Sequence, residues 1–164
     1  MRRAPFDGRS LRWPALLLIG IACTSVARAD KVRITQLTDV DFGVVGAQTD
    51  TRRSQSVCVY ANGQSGTYSV SASGSGAGGA FTLSNGPYVL GYDLEWNPLA
   101  GQTAGIPIVP NVALIGQTSA ATNQQCSSGP STSASLTLVL RGSGLNAARQ
   151  GTYSGALTLI LGAE

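Results

Sequence analysis

Apolar side chains in this chain recur at every second position, and no long segment shows a 3.6-residue apolar period. Successive side chains of an extended strand point to opposite faces, so this alternation predicts strands with one buried face. The clearest case is Gly151-Thr152-Tyr153-Ser154-Gly155-Ala156-Leu157-Thr158-Leu159-Ile160-Leu161, in which Leu157, Leu159 and Leu161 fall in phase. Ala134–Leu140 repeats the pattern with Leu136, Leu138 and Leu140. The ten residues 141–150 are long enough to return the chain, so the two runs are expected to be neighbouring strands of one sheet. Only Gly162, Ala163 and Glu164 follow the last strand, which leaves open what covers its outer edge.

The remaining runs read the same way. Residues 32–34 and 37–44 form the first strands, the second with Val40, Phe42 and Val44 in phase. Residues 49–54 read as a polar loop carrying Arg52 and Arg53. A strand over 56–60, a tight hairpin at Asn62-Gly63 and a strand over 67–72 come next, since Asn-Gly supplies the positive φ angles of such turns. A glycine-rich connection, 73–79, leads to a short strand over 80–83 and a turn at Asn85-Gly86-Pro87. Residues 88–96 predict one strand with Tyr88, Leu90, Tyr92, Leu94 and Trp96 on one face and Asp93 and Glu95 on the other. Pro107 and Pro110 restrict 106–110 to an edge, because proline lacks a ladder donor. Residues 112–115 can pair, and 117–132 is a polar segment holding Cys126. Short strands separated by turn residues indicate an all-β sandwich or barrel.

The amino-terminal 29 residues carry a different pattern. Arg2, Arg3, Arg9 and Arg12 precede an apolar run, 15–22, and Ala27-Arg28-Ala29 forms a small-x-small cleavage site, the layout of a secretory signal. Eight apolar residues are too few to span a bilayer, so no stable membrane insertion is expected. Cys23 ends the run as a lipidated cysteine would, but Gly20 stands where such a signal carries leucine. A mature chain over 30–164 suits one domain. Five of the 11 basic residues and one of the eight acidic ones lie in the signal, so the mature chain carries six against seven and no basic patch for nucleic acid. Export also places Cys58 and Cys126 in an oxidising compartment, where a disulfide between them is the default expectation.

Candidate chemistry is sparse. The chain has no histidine, which removes Ser-His-Asp and Cys-His arrangements and any imidazole metal ligand. Asp39/Asp41 and Asp93/Glu95 are carboxylate pairs, each about 7 Å apart on one strand face. That separation is near a glycosidase's, but a cleft and one raised pKa are also required. Gly74, Gly76 and Gly79 match G-x-G-x-x-G, yet strand-like residues follow where a phosphate-binding helix would have to begin. Asp39, Asp41 and Asp50 are too dispersed for a calcium loop, so neither metal nor cofactor is expected. The Tyr88, Tyr92 and Trp96 face suits a sandwich core or a sugar platform.

Taken in order, Leu37-Thr38-Asp39-Val40-Asp41-Phe42-Gly43, Val57-Cys58-Val59-Tyr60, the run from Gly74 to Leu83 and Gly151-Thr152-Tyr153-Ser154-Gly155-Ala156-Leu157-Thr158-Leu159 resemble the spore coat protein U domain family, whose members include pilins of the archaic chaperone-usher pathway. The resemblance runs from Leu37 to Glu164. It implies an immunoglobulin-like sandwich lacking its last strand, with a hydrophobic groove that a periplasmic chaperone and then a neighbouring subunit fill by strand addition after delivery to an outer-membrane usher. On this reading Leu136, Leu138, Leu140, Leu157, Leu159 and Leu161 form the partner-strand groove. Val32 and Ile34 are the possible donor pair. Ordinary subunits carry a longer amino-terminal extension than 30–36, so the chain is expected to accept a strand without donating an effective one, as a terminal or minor subunit would. Its Ala163-Glu164 ending also differs from the aromatic ending of major pilins. The expected function is a non-enzymatic subunit of a surface fimbria, exported through the periplasm. The alternative is a self-sufficient secreted carbohydrate-binding adhesin using aromatics such as Tyr60 or Trp96.

Overall fold

The computed structural model describes residues 30–46, 48–63 and 66–164, and the expected export signal over 1–29 lies outside them. Among the described residues no helix is long and apolar enough to cross a membrane. The elements in chain order are β1 (Val32–Thr35), β2 (Thr51–Ala61), β3 (Thr67–Gly74), a 3-10 turn (Ala77–Gly79), β4 (Thr82–Asn85), β5 (Tyr88–Gly91), β6 (Asp93–Asn97), β7 (Ile106–Ile108), β8 (Leu114–Thr118), β9 (Ala134–Leu140), α1 (Gly142–Ala147) and β10 (Leu157–Ala163). All ladders are antiparallel. One sheet has the order β1-β2-β9-β6-β7, the facing sheet β10-β3-β8, and β4-β5 is a separate hairpin. Neither large sheet closes on itself, and the arrangement fits an immunoglobulin-like sandwich with one disulfide.

Period-two patterning puts the core where the two sheets meet. Leu136, Leu138 and Leu140 of β9, Leu94 and Trp96 of β6, and Tyr68, Val70 and Ala72 of β3 are buried together. Each buried leucine of this kind contributes about 1.5–3 kcal/mol. Trp96 and Tyr68 meet edge to face with ring centroids 6.3 Å apart, and the Trp96 indole N–H donates to the Tyr68 hydroxyl at 3.1 Å, so neither polar tip is stranded. Burial pushes the Tyr68 phenol up to about 12. The Cys58–Cys126 bridge, with Cα atoms 6.0 Å apart, ties β2 to the segment that leads into β9. The Ser133 hydroxyl donates to the Val59 carbonyl and accepts from the Val59 amide, both at 2.8 Å, beside the bridge.

Several expected elements differ. The leucine runs of β9 and β10 are not neighbours in one sheet: they lie in opposite sheets. The returning segment contains α1 and carries the chain across the sandwich rather than along an edge. Asn62-Gly63 likewise joins two sheets instead of closing a hairpin, because β2 and β3 pair with different partners. Asn62 is used to hold the start of β1, its amide donating to the Lys31 carbonyl and its side-chain oxygen accepting from the Lys31 amide. Residues 51–54 are strand, not loop; Arg52 and Arg53 sit in β2 opposite Val139 and Leu138. The expected strand over 88–96 breaks at Tyr92, whose amide donates to the Phe81 carbonyl and whose ring stacks on Phe81, after which the chain leaves the β4-β5 hairpin to join β9. Tyr88 consequently falls outside the core. Residues 37–44 form no strand: side chains tether them where a ladder was expected, and Val44 is fully exposed.

Candidate functional site

An open groove with a cavity volume of about 1210 Å³ lies along one flank of the sandwich. Leu136, Leu138 and Leu140 line it, joined by Leu90, Tyr92 and Leu145. Residues 37–45 and 148–157 line it as well, the first following β1 and the second leading into β10. The groove is therefore apolar on its β9 side, where Leu136, Leu138 and Leu140 form its floor while already buried in the core, and its borders are segments without regular structure.

Each border has an identifiable anchor. On the first, the Gln55 side-chain oxygen accepts from the Thr38 amide and hydroxyl, both at 3.0 Å, and the Arg53 guanidinium donates to the Phe42 carbonyl at 3.2 Å. Val40, Phe42 and Val45 pack on the core, while the Asp41 carboxylate accepts from the Gly43 amide in a local turn. On the second, Ser154 forms an isolated antiparallel bridge with Ser84 of β4. Arg141 lies between the two borders in sequence and donates from Nη1 to Asp50 at 2.8 Å and from Nε to Asp93 at 2.5 Å. The amide of Gly142, at the start of α1, donates to Asp50 at 2.9 Å; this bond first, and Arg141 second, hold the Asp50 carboxyl below its usual value. The two aspartates in turn raise the Arg141 guanidinium.

β10 is an edge strand. It pairs with β3 from Leu157↔Gly74 to Ala163↔Tyr68, and among the described residues no strand pairs its other side. Leu157, Leu159 and Leu161 are only half-buried although they pack against the core cluster. A row of main-chain donors and acceptors beside half-covered leucines is a template for another strand. At the end of β10 the Glu164 carbonyl and the Asp30 side chain, just before β1, both lie against Gly63, and β1 runs close to β10 there without pairing with it.

Of the six leucines expected in a partner groove, Leu136, Leu138, Leu140 and Leu157 border the same cavity, and Leu159 and Leu161 extend the same face of β10 beyond it. Val32 and Ile34 are half-buried in β1, opposite Ala61 and Val59 of β2. The expected disulfide pair is joined. Tyr60 and Trp96 are not loop aromatics: both are in strands, and Trp96 is 0% exposed, so it offers no sugar platform. Glu95 is not on a solvated face. It accepts two guanidinium hydrogen bonds from Arg52, at 2.9 and 3.1 Å, and one from the Gly105 amide at 3.1 Å. The Arg52 bonds hold its carboxyl below the ordinary value, the opposite of what a general acid requires. Gly74, Gly76 and Gly79 surround the 3-10 turn before β4, which is not the start of a phosphate-binding helix.

Leu145 and Tyr153 are among the groove residues to which the sequence pattern gave no role. Leu145 lies in α1, which only a local helix assignment would have placed at the core. Tyr153 lies in the irregular segment before β10, where the alternation of Leu157, Leu159 and Leu161 does not extend.

No family model matches the chain, and no curated protein matches it in sequence. Among solved structures the chain is similar to one chain of a crystal structure of the CsuC-CsuE chaperone-tip adhesion subunit pre-assembly complex from archaic chaperone-usher Csu pili of Acinetobacter baumannii. The identity is 17% and the TM-score 0.44, and the match covers 82% of this chain but spans only 40% of the other.

Proposed function

We propose that this chain is a non-enzymatic structural subunit of a surface pilus, assembled by a chaperone-usher route and completed by a strand from another protein. The single observation behind the proposal is the outer edge of β10, unpaired among the described residues, beside an open groove lined by Leu136, Leu138, Leu140 and Leu157. The family resemblance of the sequence supplies the biological setting. Its partners are a periplasmic chaperone, an outer-membrane usher and neighbouring subunits, and its route runs through the periplasm to the cell surface. Val32 and Ile34 are engaged with β2, so in this reading the chain receives a strand and does not donate these residues.

The physical case is that an edge strand with half-covered leucines is more stable paired than bare, and an exposed one invites aggregation. A synthetic peptide with alternating apolar residues should bind and raise the melting temperature. Occupancy at a hundred times the dissociation constant corresponds to about 2.7 kcal/mol of added stability. A purified protein that is monomeric and stable alone, with no thermal response to any such peptide, would overturn the proposal. The carbohydrate-binding alternative gains no support from Trp96, which is sealed inside the sandwich.

A further inference from the structure

The inward face of β2 changes character beside the groove. Toward the end of the strand Val57, Val59 and Ala61 are buried in the core, but the in-phase positions before them are Thr51, Arg53 and Gln55. These three stand directly opposite Leu140, Leu138 and Leu136 of β9, and side chains at directly paired positions share a face of the sheet. Gln55 accordingly lines the groove together with those leucines. A polar side chain on a leucine-bearing face needs partners, and Gln55 finds them on one residue. Its Oε1 accepts from the Thr38 amide and hydroxyl, both at 3.0 Å, and its Nε2 donates to the Thr38 carbonyl at 3.1 Å.

Register explains why Thr38 is the residue held. β1 pairs with β2 as far as Thr35↔Cys58; carried three residues on, the same register sets Thr38 opposite Gln55. The ladder stops in between, at Gln36, whose φ of 64° is left-handed and whose side-chain amide donates to the Ser131 carbonyl at 2.9 Å. Beyond this kink the Gln55 carboxamide takes both roles that a main-chain partner in β2 would have had, and so holds 37–45 a side chain's length away from the strand. Val40 and Phe42 then pack on the core cluster, while Thr38, Asp39 and Asp41 stay exposed.

Resting on the strand-acceptor reading above, we infer that Gln55 is a positioning residue for strand acceptance: it fixes 37–45 as a preformed wall of the groove and so keeps open the space that an incoming strand enters. A wall ordered before binding spares the complex the entropy of ordering it, whereas an unanchored 37–45 would have to be immobilised by the arriving strand.

The test compares the unaltered protein with Gln55→Val and Gln55→Glu. For each, the affinity for a strand peptide of alternating valines, the denaturation midpoint of the free protein and hydrogen exchange at the Thr38 amide are measured. Valine suits a strand face beside leucines, so Gln55→Val should keep the midpoint while the Thr38 amide exchanges faster and the peptide binds about tenfold more weakly. Gln55→Glu still accepts from Thr38 but no longer donates to its carbonyl, and should lose less affinity. Unchanged or tighter binding by Gln55→Val would overturn the inference, the tighter case making 37–45 a cover that the strand displaces. A fall in affinity matched by a fall in the midpoint would also overturn it, assigning Gln55 to the fold alone. Should Gln55→Val not fold, Gln55→Glu decides by the same criteria. Failure of the peptide to bind the unaltered protein would remove the strand-acceptor reading itself, a result distinct from a loss confined to the Gln55 variants.

Discussion

β9 and β10 carry the same alternating leucines, and the fold treats them oppositely. β9 is buried along all seven residues, with β2 on one side and β6 on the other. Its second face is covered by the 98–104 loop: the Ser135 hydroxyl donates to the Leu99 carbonyl and accepts from the Gln102 amide, and Thr137 donates to the Ser54 hydroxyl. β10 pairs, among the described residues, with β3 alone, with β1 lying close to it unpaired; its leucines are half-buried, and Ile160 on its second face is 62% exposed. Alternation specifies that one face is buried. The number of neighbours and the cover on the other face depend on distant residues, here the small hydroxyl side chains that let a loop lie on β9.

The largest contrast should come from truncating one leucine in each strand. Leu136→Ala should cost about 4 kcal/mol by denaturant unfolding, since the side chain is 1% exposed and loses nearly all of its buried contact. Leu159→Ala should cost about half that in the free protein, and more once a strand peptide saturates the groove and completes its burial. Equal costs in the free protein would mean that β10 is already covered as fully as β9. The Cys58→Ala/Cys126→Ala double variant should lose up to about 4 kcal/mol through the closed loop. Because the bridge fastens β2 and the approach to β9, hydrogen exchange should rise there more than in β10.

Most of this contrast was legible in one direction only. β9, β10 and most of β2 and β3 followed from alternation, and the edge position of β7 from Pro107, whereas alternating residues 37–44 form no strand and 51–54, read as loop, begin β2. The assignment of strands to sheets did not follow, because Asn62-Gly63 and residues 141–150 signal a change of direction without saying which partner lies beyond. Arg52 and Arg53 read as loop by polarity, yet Arg52 is satisfied in a strand by Glu95, two strands away and 43 residues later. Within the site, the leucines were legible as an inward face. The opening of the groove depends on residues 37–45 failing to make a ladder, a fact of tertiary contacts with Gln55 and Arg53.

Arg52 also gives a smaller and pH-dependent way to sharpen the comparison, since it secures the cover over β9 and has no counterpart on β10. Arg52→Met should cost about 2 kcal/mol by leaving Glu95 buried without its partner, the figure reduced because Arg52 is itself 38% exposed. Glu95 is depressed from 4.5 in the folded state chiefly by the Arg52 hydrogen bonds. A depressed carboxyl contributes stability that is complete above its unfolded value and is lost as pH falls through its folded value. The unaltered protein should therefore lose stability below about pH 4.5, and Glu95→Gln should flatten part of that slope. An unchanged acid limb in Glu95→Gln would show that other carboxylates carry it.

The smallest effect is expected at Ile160, next to Leu159 on β10 but pointing the other way. Ile160→Ser should change stability by no more than about 0.5 kcal/mol, because the side chain gives up little contact when it is already mostly in water. It should also leave peptide binding unchanged, since an added strand would meet β10 through main-chain groups and inward side chains. Placed beside Leu159→Ala, it separates the two faces of one strand with a single residue step. A loss above about 1 kcal/mol, or weaker peptide binding, would mean that the outward face is covered too, and the asymmetry between β9 and β10 would then lie in their neighbours alone.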